Sequence, residues 1–326
     1  MTRIVGVDVG GTKVSVAVLE DGVLSAPAVT PTEKSSEDAL VEQLATVIEA
    51  AGGRDADAVG LGVPAAIEWA TGTVKSGVNV PLKDVPLRVI LRERLDVPVF
   101  VDNDANVAAL AEAYDGDRLI TRELVMFTVG TGVGGGLVLN GRPYRGLTGA
   151  GAEMGHILIG LDLANGAPPA ADSFPQPGSL ESLAAGTELD RLAQRSASEK
   201  PETELDRRRA EKGAVTGRDV VELAQGGDAE CTRLLEVLGE RLGVGIASAI
   251  NLFDPEEIVI GGGVVASGEL LLGPARRVAR QYALPGCGEQ TEIRAARYGN
   301  DAGVRGAAMM AGQELRAELA DEASAP

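Results

Sequence analysis

The sequence predicts an α/β protein of two domains, and three observations carry that expectation. Strand-like and helix-like stretches alternate, one distinctive unit occurs twice, and 326 residues of which 44% are hydrophobic can fill one large or two medium cores. The distinctive unit is strand, glycine turn, strand, turn, strand. Its first copy runs Arg3 to Asp8, Gly10-Gly11-Thr12-Lys13, Val14 to Leu19, the hairpin signal Asp21-Gly22, and a third strand from Val23 to Val29. Its second copy runs Leu124 to Val129, a glycine turn from Gly130 to Gly136, Leu137 to Leu139, and the turn Asn140-Gly141. The chain reads as internally duplicated.

Between the copies, Ser35 to Ala51 has helical spacing behind a polar cap, and Ala58 to Val63 is a buried strand ended by Pro64. Thr71 to Leu82 is loop or hairpin and contains Asn79. A short helix, Leu87 to Leu95, leads to the strand Val97 to Val101 and a helix through Tyr114. After the second copy, Asp162 to Gly178 is rich in Ala and Pro and predicts an irregular loop. Ser179 to Gly186 is helical, 195–215 a solvated helical stretch and connection, and Asp219 to Ala224 and Glu230 to Leu252 are helices, the second buried. Glu257 to Ile260 is a strand meeting a third glycine turn, Gly261 to Gly263. Leu270 to Gln281 is amphipathic, Glu292 to Ala296 a strand, Asp301 to Leu315 a helix returning to the first domain, and Ala320 to Pro326 a disordered tail.

Composition removes several classes of function. A net charge of −18 opposes nucleic acid as a partner, since phosphate backbones are held through Lys and Arg. Cys231 and Cys287 are far apart and outside any CxxC pattern, which excludes a disulfide framework and a cysteine-rich metal site. No run approaches a membrane span and no signal-peptide core precedes Asp8, so a cytoplasmic protein without membrane contact is expected.

Chemistry is expected at Asp102-Asn103-Asp104-Ala105-Asn106, which sets two carboxylates and two amides between a strand and a helix. Polar side chains there project from the carboxyl end of a strand, where open α/β sheets place ligands. Asp104 reads equally as a helix cap or a functional acid. The paired glycine turns suit phosphate oxygens, because tight turns present backbone N–H groups and glycine permits close approach. Gly130-x-Gly132-x-x-Gly135 matches a dinucleotide fingerprint only as letters, since it leads into a strand and no helix follows. His156, the only histidine, stands beside Glu153 after a glycine-rich loop; Glu181 is either a ligand or a first-turn helix charge.

Six ordered motifs together resemble the ROK family (repressor, open reading frame, kinase), most of all its bacterial and archaeal glucokinases. They are Asp8-Val-Gly10-Gly11-Thr12-Lys13, Asn103-Asp104-Ala105-Asn106, Gly130 to Gly136, Glu153-Met-Gly155-His156, Asn251 to Glu256 and Gly261-Gly262-Gly263. The resemblance implies the two-domain actin/hexokinase (ribonuclease H-like) fold with its active site in the interdomain cleft, a small domain of residues 1–118 plus about 302–326, and a large domain of 119–301. It implies ATP-dependent phosphorylation of a hexose, glucose first, with N-acetylglucosamine, N-acetylmannosamine or fructose as alternatives. A sugar-responsive regulator lacking its DNA-binding domain is the reading from another class.

By position, Asp104 would be the catalytic base, and Asn79, Asn103, Glu153, His156 and Glu181 would bind the sugar. Gly10, Gly11, Thr12 and Lys13, with Thr131, Gly132 and Gly134, would cradle phosphates; Asp8 would act near Mg²⁺ through water; Gly261, Gly262 and Gly263 would lie against adenosine. The family suggests a dimer or tetramer and leaves ADP or polyphosphate open as donor. In one respect the chain departs from it. The family's Cys-x-Cys-Gly-x-x-Gly-Cys-x-Glu segment, which binds a structural zinc with the histidine, keeps only Gly178 and Glu181 here, so no zinc is expected. A second departure is Gly62-Val63-Pro64-Ala65-Ala66, where a further glycine is common.

Overall fold

A computed structural model describes residues 2–77 and 79–324. The chain divides into two compact units. One comprises 1–122, 136–152 and 297–326, the other 123–135 and 153–296.

The first unit is built on strands β1 (Arg3–Val9), β2 (Lys13–Glu20), β3 (Val23–Leu24), β4 (Ala28–Pro31), β5 (Ala58–Val63) and β9 (Val99–Asn103). Their order is β3-β2-β1-β5-β9, with β4 also on β2. The expected third strand, Val23 to Val29, is therefore two short ones, because Pro27 has no N–H to give the ladder. β1 is antiparallel to β2 and parallel to β5, which is parallel to β9. Apolar side chains on both sides of β1 and β5 require cover on both faces.

On one face lies α1 (Glu37–Ala50), started by Ser36, whose hydroxyl accepts from the Ala39 N–H, and burying Leu40, Leu44, Ala45 and Ile48 at helical spacing. The meander β6 (Ala65–Glu68), β7 (Thr73–Gly77), β8 (Lys83–Val85) and helix α2 (Leu87–Leu95) complete that core. The other face takes α3 (Asp104–Glu112) and α10 (Ala302–Ser324). Gly6 and Gly60 leave room for α10, whose Val304 and Ala307 carbonyls fill the space of the missing Cβ atoms. A short ribbon, β10 (Tyr114–Asp115) with β11 (Arg118–Leu119), follows α3. The end of α10 corrects the sequence reading. Residues 320–324 are helical, since Ala and Glu propagate a helix already nucleated by its packed half; Ala325 and Pro326 lie outside the described residues.

In the second unit the parallel strands β12 (Leu124–Val129), β15 (Glu257–Gly261) and β16 (Glu292–Ala295) pair side by side. The helices are α4 (Leu180–Ala184), α5 (Gly186–Glu199), α6 (Glu204–Lys212), α7 (Gly217–Gln225), α8 (Ala229–Phe253) and α9 (Glu269–Tyr282). Helix α8 buries Leu234, Leu235, Leu238, Leu242 and Ile246, and α9 packs along it, its Leu271 and Ala275 carbonyls against Gly239 and Gly243. The glycine run after β12 is a second correction. The turn closes by Gly132 and Gly134 to Gly136 belong to β13 (Val133–Leu139), a strand that the division between units cuts before it leads to β14 (Arg142–Pro143). Gly136 is small for a packing reason, since the Ala105 carbonyl and Ala109 of α3 occupy its side-chain space. Among the described residues no helix is long and apolar enough to cross a membrane.

Candidate active site

Three parallel strands of the first unit end level with one another. Asp8 is in register with Gly62, and Gly62 with Asp102, so Asp8, Asn103 and Asp104 emerge together at the carboxyl edge of the sheet. The capping question resolves in favour of Asn103. Its Oδ1 accepts from the N–H groups of Ala105 at 2.9 Å and Asn106 at 3.2 Å, and its Nδ2 donates to the Ala65 carbonyl at 3.2 Å. One amide hydrogen of Asn103 therefore remains for a ligand. Asp104 is the first residue of α3, with Oδ1 accepting from Ala105 N–H at 2.8 Å.

Asp8 feels the charge of Asp104. Burial, reinforced by the negative charge of Asp104 and opposed by Lys13, pushes the Asp8 carboxyl up to about 6. Asp8 is crowded from behind by α10, because a Cβ on Gly303 would stand 2.6 Å from its carboxyl carbon. The turn Gly10 to Lys13 is closed by Gly10 N–H donating to the Lys13 carbonyl at 2.8 Å, and by Thr32 Oγ1 donating to the Gly10 carbonyl at 2.7 Å. Asn79, at φ 63°, packs on this turn, its Cβ 2.9 Å from where a Cβ on Gly11 would lie. The first unit thus gathers Asp8, Gly10, Gly11, Thr12, Lys13, Asn79, Asn103 and Asp104.

In the second unit, Gly130 N–H donates to the Gly132 carbonyl at 2.9 Å and Gly186 N–H to the Gly130 carbonyl at 2.7 Å. Glu181, in the first turn of α4, accepts from Val133 N–H at 2.7 Å and stands where any side chain on Gly132 would have to go. Gly261 ends β15 in register with Thr128. Gly262 follows at φ 90°, ψ 172°, facing the Val129 backbone, a conformation essentially reserved for glycine. Beside these turns opens a crevice of about 590 Å³ lined by Gly130, Thr131, Thr187, Asp190, Arg218 and Gly263, among others. Of these, Thr131 and Gly263 belong to the glycine turns singled out in the sequence, whereas Thr187, Asp190 and Arg218 sit on helices whose polar faces read as ordinary solvated surface. Asp190 also anchors α7, accepting from Gly217 N–H at 2.5 Å. Gly134 lies within β13, outside the turn it was assigned to.

Glu153 precedes and His156 ends a single 3₁₀ turn, Oε2 and Nε2 4.0 Å apart. The imidazole meets the Phe174 ring edge-on, centroids 5.3 Å apart, and its buried Nδ1 has no partner among the described residues. Phe174 comes from the loop that carries cysteines in the family pattern. That loop holds none, and among the described residues no three His, Cys, Asp or Glu side chains converge, so the donor set does not fit a structural zinc.

A family model described as the ROK family matches residues 4–314. The glucokinase of Halalkalibacterium halodurans is 36% identical over 320 residues, covering 95% of this chain and 95% of its own. Among solved structures, a ROK hexokinase from Thermus thermophilus is 35% identical with a TM-score of 0.76, over 97% of this chain and 100% of its own. A ROK family glucokinase from Streptomyces griseus, in complex with glucose and AMPPNP, is 30% identical with a TM-score of 0.76, over 95% of this chain and 99% of its own. The fold is the actin/hexokinase-like one of these neighbours.

Proposed function

We propose a reaction for this chain from one premise: the chain belongs to the ROK family. The reaction is the ATP-dependent phosphorylation of a hexose, glucose to glucose 6-phosphate. The observation that carries it is the placement of Asp104, a carboxylate at the first position of α3 on the carboxyl edge of the sheet, where its charge reaches the buried Asp8. Phosphoryl transfer asks little covalent chemistry of a protein and much positioning, plus a group to receive the proton of the attacking hydroxyl. Asp104 takes that proton as the sugar oxygen bonds to the γ-phosphorus and the bridging P–O bond breaks, releasing ADP.

Support for the remaining roles comes from the donor and acceptor inventory. Asn79 and the spare amide hydrogen of Asn103 donate to sugar hydroxyls, while Glu153, His156 and the second oxygen of Glu181 receive or orient others. The backbone of Gly10 to Lys13 and of Thr131 to Gly132 receives phosphate oxygens, and the crevice lined by Thr131 and Gly263 takes the adenosine. Mg²⁺, when bound, neutralises phosphate charge. The strained Asp8 carboxyl suits a hard cation held through water, because one or two carboxylates with phosphate oxygens are its usual ligands.

A coupled ADP-release assay tests the reading with glucose, mannose, fructose, N-acetylglucosamine and N-acetylmannosamine, each with ATP, ADP or polyphosphate. The expected outcome is turnover with ATP, fastest on glucose. Silence on all five sugars sinks the proposal.

A further inference from the structure

Behind the acid-bearing edge lies a buried ion pair that the proposed reaction does not use. Asp102 is 1% exposed and all its acceptor capacity is turned inward. Oδ1 accepts from Asn103 N–H at 2.7 Å and Asn106 Nδ2 at 3.0 Å, and Oδ2 from Arg145 Nε at 2.6 Å. A carboxylate so buried and so bonded is out of a substrate's reach, which separates it from Asp104 two positions on. Arg145 is itself held on three sides. Its Nη2 donates to Glu314 of α10 at 3.3 Å, its guanidinium carbon lies 3.4 Å from the Trp69 ring centroid, and its carbonyl accepts from Gly151 N–H at 2.9 Å.

A buried pair of this kind repays its desolvation poorly, and an apolar pair of similar volume is often as stable. What the pair does supply is geometry. Asp102 grips the chain on both sides of Asp104, at the Asn103 N–H and the Asn106 amide. In doing so it takes the Asn106 Nδ2 and leaves Asn106 Oδ1 buried without a partner among the described residues. The grip is then referred, through Arg145, to the hairpin turn that carries Trp69 and to α10.

We propose that Asp102 and Arg145 are positioning residues for phosphoryl transfer, fixing the Asn103–Asn106 turn so that Asp104 meets the attacking hydroxyl. The inference rests on the reading of Asp104 as the base. Trp69, the chain's one tryptophan, lies against Arg145 and reports on it directly.

The test compares the wild type with Asp102→Asn, Arg145→Met and Arg145→Lys by steady-state kinetics, melting temperature and tryptophan emission. Misplacing a base by about 1 Å costs about 10²-fold, so Asp102→Asn and Arg145→Met should lower kcat by about 10- to 100-fold. KM for ATP should stay within about threefold, since the adenosine crevice is untouched. Arg145→Lys, which keeps the charge but not the planar fork, should recover part of kcat, and Trp69 emission should shift in Arg145→Met. A purely structural role predicts instead a lower melting temperature with kcat per folded molecule unchanged, and kcat within twofold of an active wild type in Asp102→Asn overturns the proposal. A wild type inactive on every sugar removes the base reading on which it rests, and is distinguishable because the variants then have no kcat to lose.

Discussion

The two units both open with a strand that runs into a glycine turn, yet they equip their sheet edges in opposite ways. The first sets side chains at its edge and spends hydrogen bonds to hold them: Asn103 caps, Asp102 is gripped by three donors, and burial with the charge of Asp104 raises the Asp8 carboxyl. The second removes side chains, presenting Gly130, Gly132, Gly262 and Gly263 as bare backbone beside a crevice. The proposed reaction would account for the contrast. Proton abstraction needs one carboxylate at one place, whereas phosphate oxygens are satisfied by any N–H groups that can come near enough.

Substitutions on the two sides should therefore fail differently. The largest effect is expected from Asp104→Asn, which should lower kcat by about 10² to 10⁴ while KM for ATP stays within a few-fold. If kcat survives, the first edge is not the catalytic one. Gly262→Ala should act on the other side, because its Cβ would meet the Val129 backbone at a φ of 90°. Strain of about 1–3 kcal/mol should appear as a lower melting temperature and a raised KM for ATP, with KM for hexose unchanged.

Asp8→Asn sharpens the contrast through pH. Its folded-state pKa of about 6 lies above the ordinary 3.8, so the folded protein holds an extra proton between those values. That contribution to stability is complete below pH 3.8 and lost as pH rises through 6. At pH 7 the ionised wild type carries a cost of up to about 3 kcal/mol, so Asp8→Asn should melt higher than wild type at pH 7 and turn over more slowly. Melting curves from pH 4 to 8 should show the gap closing toward acid. A constant gap would mean that Asp8 is not strained.

The smallest effect is expected at Asp219. This residue closes the capping box of α7 with Thr216 and binds Lys212 and Arg208. Burial alone would raise its carboxyl, but these partners outweigh it and hold it well below the usual range. Asp219→Ala should cost about 1 kcal/mol by thermal melting. It should also raise KM for ATP slightly, because α7 supplies Arg218 to the crevice.

How much of the molecule was legible in the sequence depended on how local each cause is. Gly10-Gly11, Gly130 to Gly132 and Gly261 to Gly263 announce turns because only glycine suits them, and Asn103-Asp104 announces a helix start because short polar residues cap. The choice between the two was illegible, since either can cap; the backbone decided by leaving Asn103 extended at ψ 144° and Asp104 helical. Gly136 misled, because a glycine needed for close packing against α3 looks the same in sequence as one needed for a turn. Arg145 with Asp102, and Trp69 beneath it, could not be found at all: no spacing rule connects residues joined only by the path of the chain. Arg218 was hidden for a related reason, as one charge on a helix of a chain rich in charges.

Helix α10 carries a consequence for how the molecule comes into being. It covers β1 and β5, filling the hollows over Gly6 and Gly60, and reaches Asp8 through Gly303. Synthesis delivers it long after the strands it covers. Until residues 302–315 leave the ribosome, Ile4 of β1, Phe100 of β9 and Val107 and Leu110 of α3 lack that cover, while most of the second unit, 153–296, is already available to fold. The acid-bearing edge is thus assembled only after residues 302–315 have been made, which ties the setting of Asp8 to a helix far from it along the chain.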